Sequence, residues 1–306
     1  MRGIPLLLSC TLLFLCTGCA AVQVRDRAYL QALELIDPTQ PTVQLHDFET
    51  AGTLAEGTGS TFEQAIENAA VPMGKELFLG HLEMIAYSEP EFGSQLNQLM
   101  EKYRLSPSCK VLGLYEGMTL ADTDTAHLTE QLGRAEKIGF LPETDLFTIL
   151  REFSGSAGTA LLPVVTENSF SAAVITETES YGMLSPEAVA GLCWLRGDNH
   201  PETLSLPGGE TYTVDSAAVR LTGTMTGSKA VITVSIRISG EGNFAKAAAQ
   251  IQSQCEAAIQ ETVVQCHADV FDWEACLQSQ CYDEFTSADW TDVVSQAEYQ
   301  VQIYST

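Results

Sequence analysis

Between Lys229 and His267 the hydrophobic period changes once, and that change restricts the chain to few architectures. Ile232, Val234, Ile236 and Ile238 alternate with Thr233, Ser235 and Arg237, a period of two that turns one strand face into a core. From Asn243 the apolar positions recur at helical spacing instead, through Phe244, Ala248, Ile251, Cys255, Ile259, Thr262/Val263 and Cys266. A half-buried strand must be covered, and an amphipathic helix running to His267 directly behind it is the nearest cover. Thr211 to Met225 supplies a hairpin partner through Thr226-Gly227-Ser228, and the closing segment alternates again at Tyr299, Val301 and Ile303. These elements predict an α+β unit, a mostly antiparallel sheet covered by one long helix.

The rest of the chain is more broken. Arg27–Leu35 and the VQLHDFETAG segment are expected strands, and Gly57-Thr58-Gly59 opens a helix that Ser60 can cap with Glu63 reaching back. Glu76–Tyr87 is an expected buried strand, kinked or closely approached at Gly80. Pro90 starts a helix to Tyr103, Lys110–Tyr115 is a strand, and Thr125–Ile138 and Glu143–Phe153 are helices. Two further strands, Ala160–Val165 and Ser171–Thr176, precede a turn at Tyr181-Gly182 and a helix opened by Ser185-Pro186-Glu187. Gly197–Gly209, rich in glycine and proline, is the best boundary. The expected class is α+β throughout: mixed, mostly antiparallel sheets with packed helices in two or three subdomains. The expected division is residues 1–18, an amino-terminal part at 19–197, a linker at 198–209 and a carboxyl-terminal part at 210–306.

Residues 1–18 form that separate segment because of their own layout. Arg2 precedes an apolar run from Ile4 to Leu15, and Thr17-Gly18-Cys19 follows. A charged start, a short apolar core and small residues before a cysteine make a lipoprotein signal, with Cys19 as the lipid attachment site. Two other readings stay open: an uncleaved anchor, since Ile4 to Val22 approaches the roughly 20 residues that span a bilayer, and ordinary secretion. All three put the remaining chain outside the cytoplasm. No later stretch is apolar for the length a membrane span requires.

Charge excludes one class of partner. Forty acidic residues against 15 basic ones give a net charge of −25, with no basic cluster beyond Arg25/Arg27. Such a surface repels phosphate backbones and anionic headgroups, so nucleic acid is not an expected partner and the domain should stand off the membrane.

No chemistry-bearing constellation is complete. Ser154-Gly155-Ser156-Ala157-Gly158 lacks the glycine two before Ser156 that a nucleophile elbow uses. Gly57-Thr58-Gly59 lacks the third glycine of a dinucleotide loop, Phe62 standing there. Cys255, Cys266, His267, Cys276 and Cys281 match no zinc spacing, and two of the thiols lie on the apolar stripe. His81 falls inside an expected strand, where a hydrogen-bonded structural role is the ordinary one. Asp122/Asp124 and Asp283/Glu284 lack the Asp-Gly context of a calcium loop. The expectation is therefore no catalytic residue, no metal and no cofactor. Cys255 and Cys266 would lie about 16 Å apart along one helix, beyond a disulfide's reach of about 7 Å. Buried free thiols are expected for most of the cysteines, with Cys276–Cys281 or a bridge between elements left open.

Four segments, in order, resemble the Ger(x)C family of spore germination lipoproteins. They are Gly18-Cys19 with DRAYLQALELID, then GSTFEQAIENA with Gly80-His81, then the block carrying Pro163, Gly182, Leu184, Glu187, Gly191, Leu195 and Gly197. The last is the carboxyl-terminal helix followed by Asp269, Trp290 and an alternating strand. The resemblance implies a non-enzymatic subunit of a spore nutrient germinant receptor. It would be lipid-anchored through Cys19 at the outer face of the spore inner membrane, beside integral-membrane germinant receptor subunits. The family offers no catalytic residues to carry over. A lipid-anchored solute-binding protein is the alternative reading; it needs two α/β lobes around a cleft, which the antiparallel carboxyl-terminal half does not suggest.

Overall fold

The computed structural model describes residues 27–48, 52–88, 93–115, 117–155, 157–167, 169–197, 200–286 and 288–306. The expected signal at 1–18 and the start of the Pro90 helix lie outside them. In chain order the elements begin with β1 (Arg27–Asp37), β2 (Thr42–Asp47), β3 (Ala55–Thr58), α1 (Phe62–Ala70), β4 (Glu76–Phe78), β5 (Met84–Tyr87) and α2 (Gly93–Tyr103). There follow β6 (Lys110–Leu114), α3 (Thr125–Lys137), α4 (Leu146–Phe153), β7 (Thr159–Val165), β8 (Phe170–Thr176), β9 (Ser180–Met183) and α5 (Pro186–Arg196). The chain closes with β10 (Thr203–Ser205), β11 (Thr211–Thr226), β12 (Lys229–Glu241), α6 (Phe244–Ile259), α7 (Trp273–Gln280), α8 (Tyr282–Phe285), α9 (Trp290–Gln296) and β13 (Glu298–Ser305).

Two sheets carry the structure. The first runs β3-β2-β1-β5-β6-β7-β8-β9, with β4 also paired to β1. Its centre is parallel, β1 beside β5, β5 beside β6 and β6 beside β7, while the hairpins β1–β2, β2–β3, β7–β8 and β8–β9 at its two sides are antiparallel. Parallel strands have both faces covered, and β7 is buried at every residue from Thr159 to Val165. On one face Leu33, Leu35, Ile85, Val111 and Leu162 meet α1, α2 and α4; on the other Ala32, Met84, Leu112 and Leu161 meet α3 and α5.

The second sheet, β10-β11-β12-β13, is antiparallel except that β13 runs parallel to β12. Ile232, Val234, Ile236 and Ile238 face α6, as their alternation requires. The long helix is shorter than its apolar stripe. After Ile259 the backbone widens into a π turn over Gln260–Val264, where Thr262 Oγ1 donates to the Ala258 carbonyl at 2.7 Å and Cys266 Sγ to that of Glu261 at 3.0 Å. His267, at a φ of 52°, then ends it.

Several local expectations shift. The capping box lies one residue later than expected: Thr61 accepts from the Gln64 N–H, and Gln64 Oε1 accepts from Ser60 N at 2.9 Å. The Glu76–Tyr87 strand divides into β4 and β5, both parallel to β1, with Gly80 and His81 in a turn between them. Tyr181-Gly182 belongs to the short strand β9, and α7, α8 and α9 replace a stretch that carries no strong periodicity.

A close helix–helix crossing joins the two sheets. α5 belongs to the first sheet's outer face and α6 to the second sheet's inner face, and they cross at Gly191. A β-carbon there would lie 2.0 Å from the Gln254 carbonyl oxygen and 2.9 Å from Ala258 Cβ, so only glycine fits. Polar bonds fix the crossing on both sides. Ser185 caps α5 by accepting from Ala188 N, and it donates its hydroxyl and its N–H to the Glu261 carboxylate at 2.6 and 2.8 Å. Trp194, 1% exposed, donates Nε1–H to Gln254 Oε1 at 3.2 Å.

Gly191→Ala should force the helices apart and lower stability by about 1–3 kcal/mol. Gly133→Ala, in α3 with open space around it, should instead stabilise by about 0.5–1 kcal/mol. Urea midpoints at unchanged m-value check both.

Candidate interaction surface

The one site residue expected from sequence, Cys19, lies outside the described residues. Within them, the feature least explained by folding is the outer face of the second sheet. α6 covers the inner face, so the alternate residues of β11, β12 and β13 point to solvent. Register sets them in rows: Ala218 beside Arg237 beside Tyr304, Arg220 beside Ser235 beside Gln302, Thr222 beside Thr233 beside Gln300. These three rows contain no carboxylate, in a chain with forty.

Arg220 and Arg237 occupy diagonal positions on this face, and both are exposed. They line a shallow depression of about 370 Å³ with Ala218, Thr222, Ser235 and Tyr304. Six other described cations behave differently. Arg27 pairs with Glu76, Lys102 with Glu67, Lys110 with Glu136, Arg151 with Asp272, Arg196 with Glu152 and Lys246 with Glu210. Two adjacent arginines free of ion pairs, on a flat field of threonine, serine and glutamine, can bind carboxylates through their paired N–H donors. The Tyr304 ring, 45% exposed, adds apolar area beside them.

Two larger hollows are lined mainly by apolar side chains. One of about 800 Å³ opens at the ends of β5 and β6 around Tyr87, Leu114, Met118 and Leu162, and one of about 660 Å³ lies beside Phe140, Phe170 and Leu204.

Each motif considered from sequence has a structural setting. Ser154 ends α4, its hydroxyl donating to the Leu150 carbonyl at 2.8 Å; Ser156 lies outside the described residues. Gly57 lets β3 approach α1, since a β-carbon would meet the Ala65 carbonyl oxygen at 2.2 Å. His81 is exposed in its turn and packs on Tyr29 and Phe78. Asp124 caps α3 by accepting from His127 N, and Asp122 accepts from the Thr119 hydroxyl. Cys109, Cys193, Cys255, Cys266, Cys276 and Cys281 form no disulfide among the described residues. Burial pushes the Cys109 thiol up to about 12 and raises that of Cys255, which keeps both protonated. Among the described residues, no cluster of three or more His, Cys, Asp or Glu is placed to hold a metal ion, and no helix is long and apolar enough to cross a membrane.

Sequence patterns did not single out the cleft between α4 and α7. Arg151, Asp269, Asp272 and Glu274 line it, and Arg196 reaches Glu152 at its back at 3.0 Å. Burial raises Glu152 despite that arginine. Asp269 accepts from the N–H groups of Phe271, Trp273 and Glu274 at 3.3, 2.9 and 2.7 Å and so holds the start of α7. Desolvation outweighs those donors and pushes its carboxyl up to about 6.

Comparison with known proteins places this geometry in context. Residues 29–167 match the model of the spore germination protein N-terminal domain, and residues 171–306 match that of the spore germination B3/GerAC-like C-terminal domain. The chain is similar in fold to the crystal structure of the GerBC protein, with a TM-score of 0.57 at 13% identity over 87% of this chain and 93% of that one. No curated protein matches it significantly.

The second of these matched spans contains Asp269, whose titration has a definite sign. Its folded pKa of about 6 exceeds the ordinary 3.8. Between these values the unfolded chain has released its proton and the folded chain has not, so this group's stabilising contribution is full below pH 3.8 and falls as pH rises toward 6. The stability of the wild type relative to Asp269→Asn should therefore decrease from pH 4 to pH 7, by about 3 kcal/mol at most. Urea unfolding of both proteins at each pH measures it.

Proposed function

The chain belongs to the family of GerAC-like spore germination proteins, and we propose that it is a non-enzymatic, lipid-anchored subunit of a spore nutrient germinant receptor. The observation that carries this reading is the match of two successive germination-protein models at residues 29–167 and 171–306; the expected lipoprotein signal at 1–18, ahead of Cys19, accords with it. In this reading Cys19 carries the lipid and residues 19–197 and 210–306 form the two working parts at the outer face of the spore inner membrane. The protein acts through contacts with integral-membrane receptor subunits. The likeness to the GerBC fold supports it, as does an exposed, carboxylate-free sheet face bearing unpaired arginines. That face suits an acidic segment of a partner subunit, because each arginine can take one carboxylate through two parallel hydrogen bonds.

Two experiments separate the parts of this reading. Cys19→Ala should move the protein from the membrane to the soluble fraction of spores and abolish the mass increase of the lipid; a variant that stays membrane-bound at unchanged mass would favour an uncleaved anchor. Replacing Arg220 and Arg237 together by Glu should leave stability within about 1 kcal/mol of the wild type yet sharply reduce co-purification with the membrane subunits. Unchanged co-purification would move the contact to another face.

A further inference from the structure

We infer that the pole of the first sheet where β1 begins rests on the lipid surface, through the exposed side chains of Phe48, Val71 and Pro72 and the cations Arg27 and Lys75. This deepens the lipid-anchor reading and rests on it. Topology gathers the pole. β1 starts at Arg27, β2 runs antiparallel to it and ends beside it at Asp47, and β4 is parallel with Arg27 opposite Glu76. The 3-10 turn Val71–Met73 and the left-handed Gly74 deliver the chain into β4 at the same end. A groove of about 520 Å³ there is bounded by Arg27, Tyr29, Phe48, Pro72, Met73 and Lys75.

Exposure is what sets this end apart. Val71 is 76% exposed and Phe48 52%, the first the most exposed large apolar side chain among the described residues. Neither packs on a core, and both project where chain connectivity brings the membrane. Between Cys19 and Arg27 an extended chain reaches about 3.3–3.6 Å per residue, so an acyl chain on Cys19 holds this pole within about 30 Å of the bilayer. Under that tether any favourable contact is intramolecular, and weak insertion suffices.

The described charges at this pole nearly cancel, Arg27 and Lys75 against Asp47, Glu56 and Glu76, in a chain of net charge −25. The acids at this pole are engaged: Glu76 with Arg27 at 3.8 Å and Glu56 with Gln44 Nε2 at 3.1 Å, while Asp47 also has a partner. Lys75 is exposed and makes no ion pair, and the connecting segment, with Arg25 and Asp26, adds no net charge. Arg27 lies 5.2 Å over the Phe78 ring, which packs with Tyr29 and His81. Aromatic rings with basic groups at one end of a molecule are the composition that settles at a headgroup layer. The overall charge of −25 holds the rest of the molecule off an anionic bilayer, so the contact is made by this end alone and the acidic body points away.

The test uses the lipidated full chain on vesicles of phosphatidylcholine and phosphatidylglycerol with brominated acyl chains, which quench nearby tryptophan. One variant carries Val71→Trp. A second carries Tyr304→Trp, on the open face of the other sheet. With the signal of the unaltered protein subtracted, the tryptophan at position 71 should lose at least half its emission and the one at position 304 almost none. Lys75→Glu combined with Phe48→Asp, both at exposed positions, should reduce the quenching at position 71 at least twofold. Vesicle-bound protein with no quenching at position 71, or equal quenching at both positions, overturns the inference while leaving the anchor intact. Protein that fails to associate with vesicles at all overturns the anchor reading and this inference together.

Discussion

The structure depends on the absence of one methyl group. At Gly191 the backbone of α5 lies against the backbone of α6, and through that crossing a nine-stranded sheet and a four-stranded sheet share a single continuous core. Close approach alone would leave the helices free to slide. Ser185 and Trp194, on either side of the glycine, fix register through bonds to Glu261 and Gln254. The crossing thus sets the angle at which the arginine face is held relative to the pole where β1 begins.

Charge is distributed with the same economy. Inside, acidic side chains are held by ion pairs or hydrogen bonds. Glu34, fully buried, accepts from the Ser88 hydroxyl and from Leu120 N, both at 2.9 Å, and so ties β1 to the turn ahead of α3. Lys110 meets both carboxylate oxygens of Glu136 at 3.0 and 2.8 Å, and Arg196 meets Glu152. Removing one partner from such a pair strands a buried charge. Outside, acid predominates, which makes the two arginines of the second sheet conspicuous as a local reversal of sign.

Sequence was most informative where periodicity was strong and neighbours in sequence are neighbours in space. The β11–β12 hairpin, the helix behind it and the closing strand were all legible because each has one buried face and one wet one. The first sheet was harder. Its central strands are covered on both sides, so their apolar runs carry no alternation, and Gly80 marks an irregularity in Glu76–Tyr87 without announcing that it and His81 leave the ladder. The stretch from His267 to Ala297 was unreadable for another reason: its short helices are specified by caps and by left-handed residues such as Asp272, not by a repeating stripe. The arginine face was invisible for want of register. Arg220 and Arg237 are seventeen positions apart, and only the hairpin pairing of Ala218 with Arg237 brings them side by side.

The parallel placement of β13 has a consequence for the order of assembly. Thr306 bonds to the Ile238 carbonyl across 68 residues of chain, so the second sheet cannot finish until everything between has been synthesised and threaded over its inner face. Such a distant pairing closes slowly. Until then the edge of β12 that β13 covers stays open, so the β11–β12 hairpin waits with one row of backbone donors and acceptors unpaired.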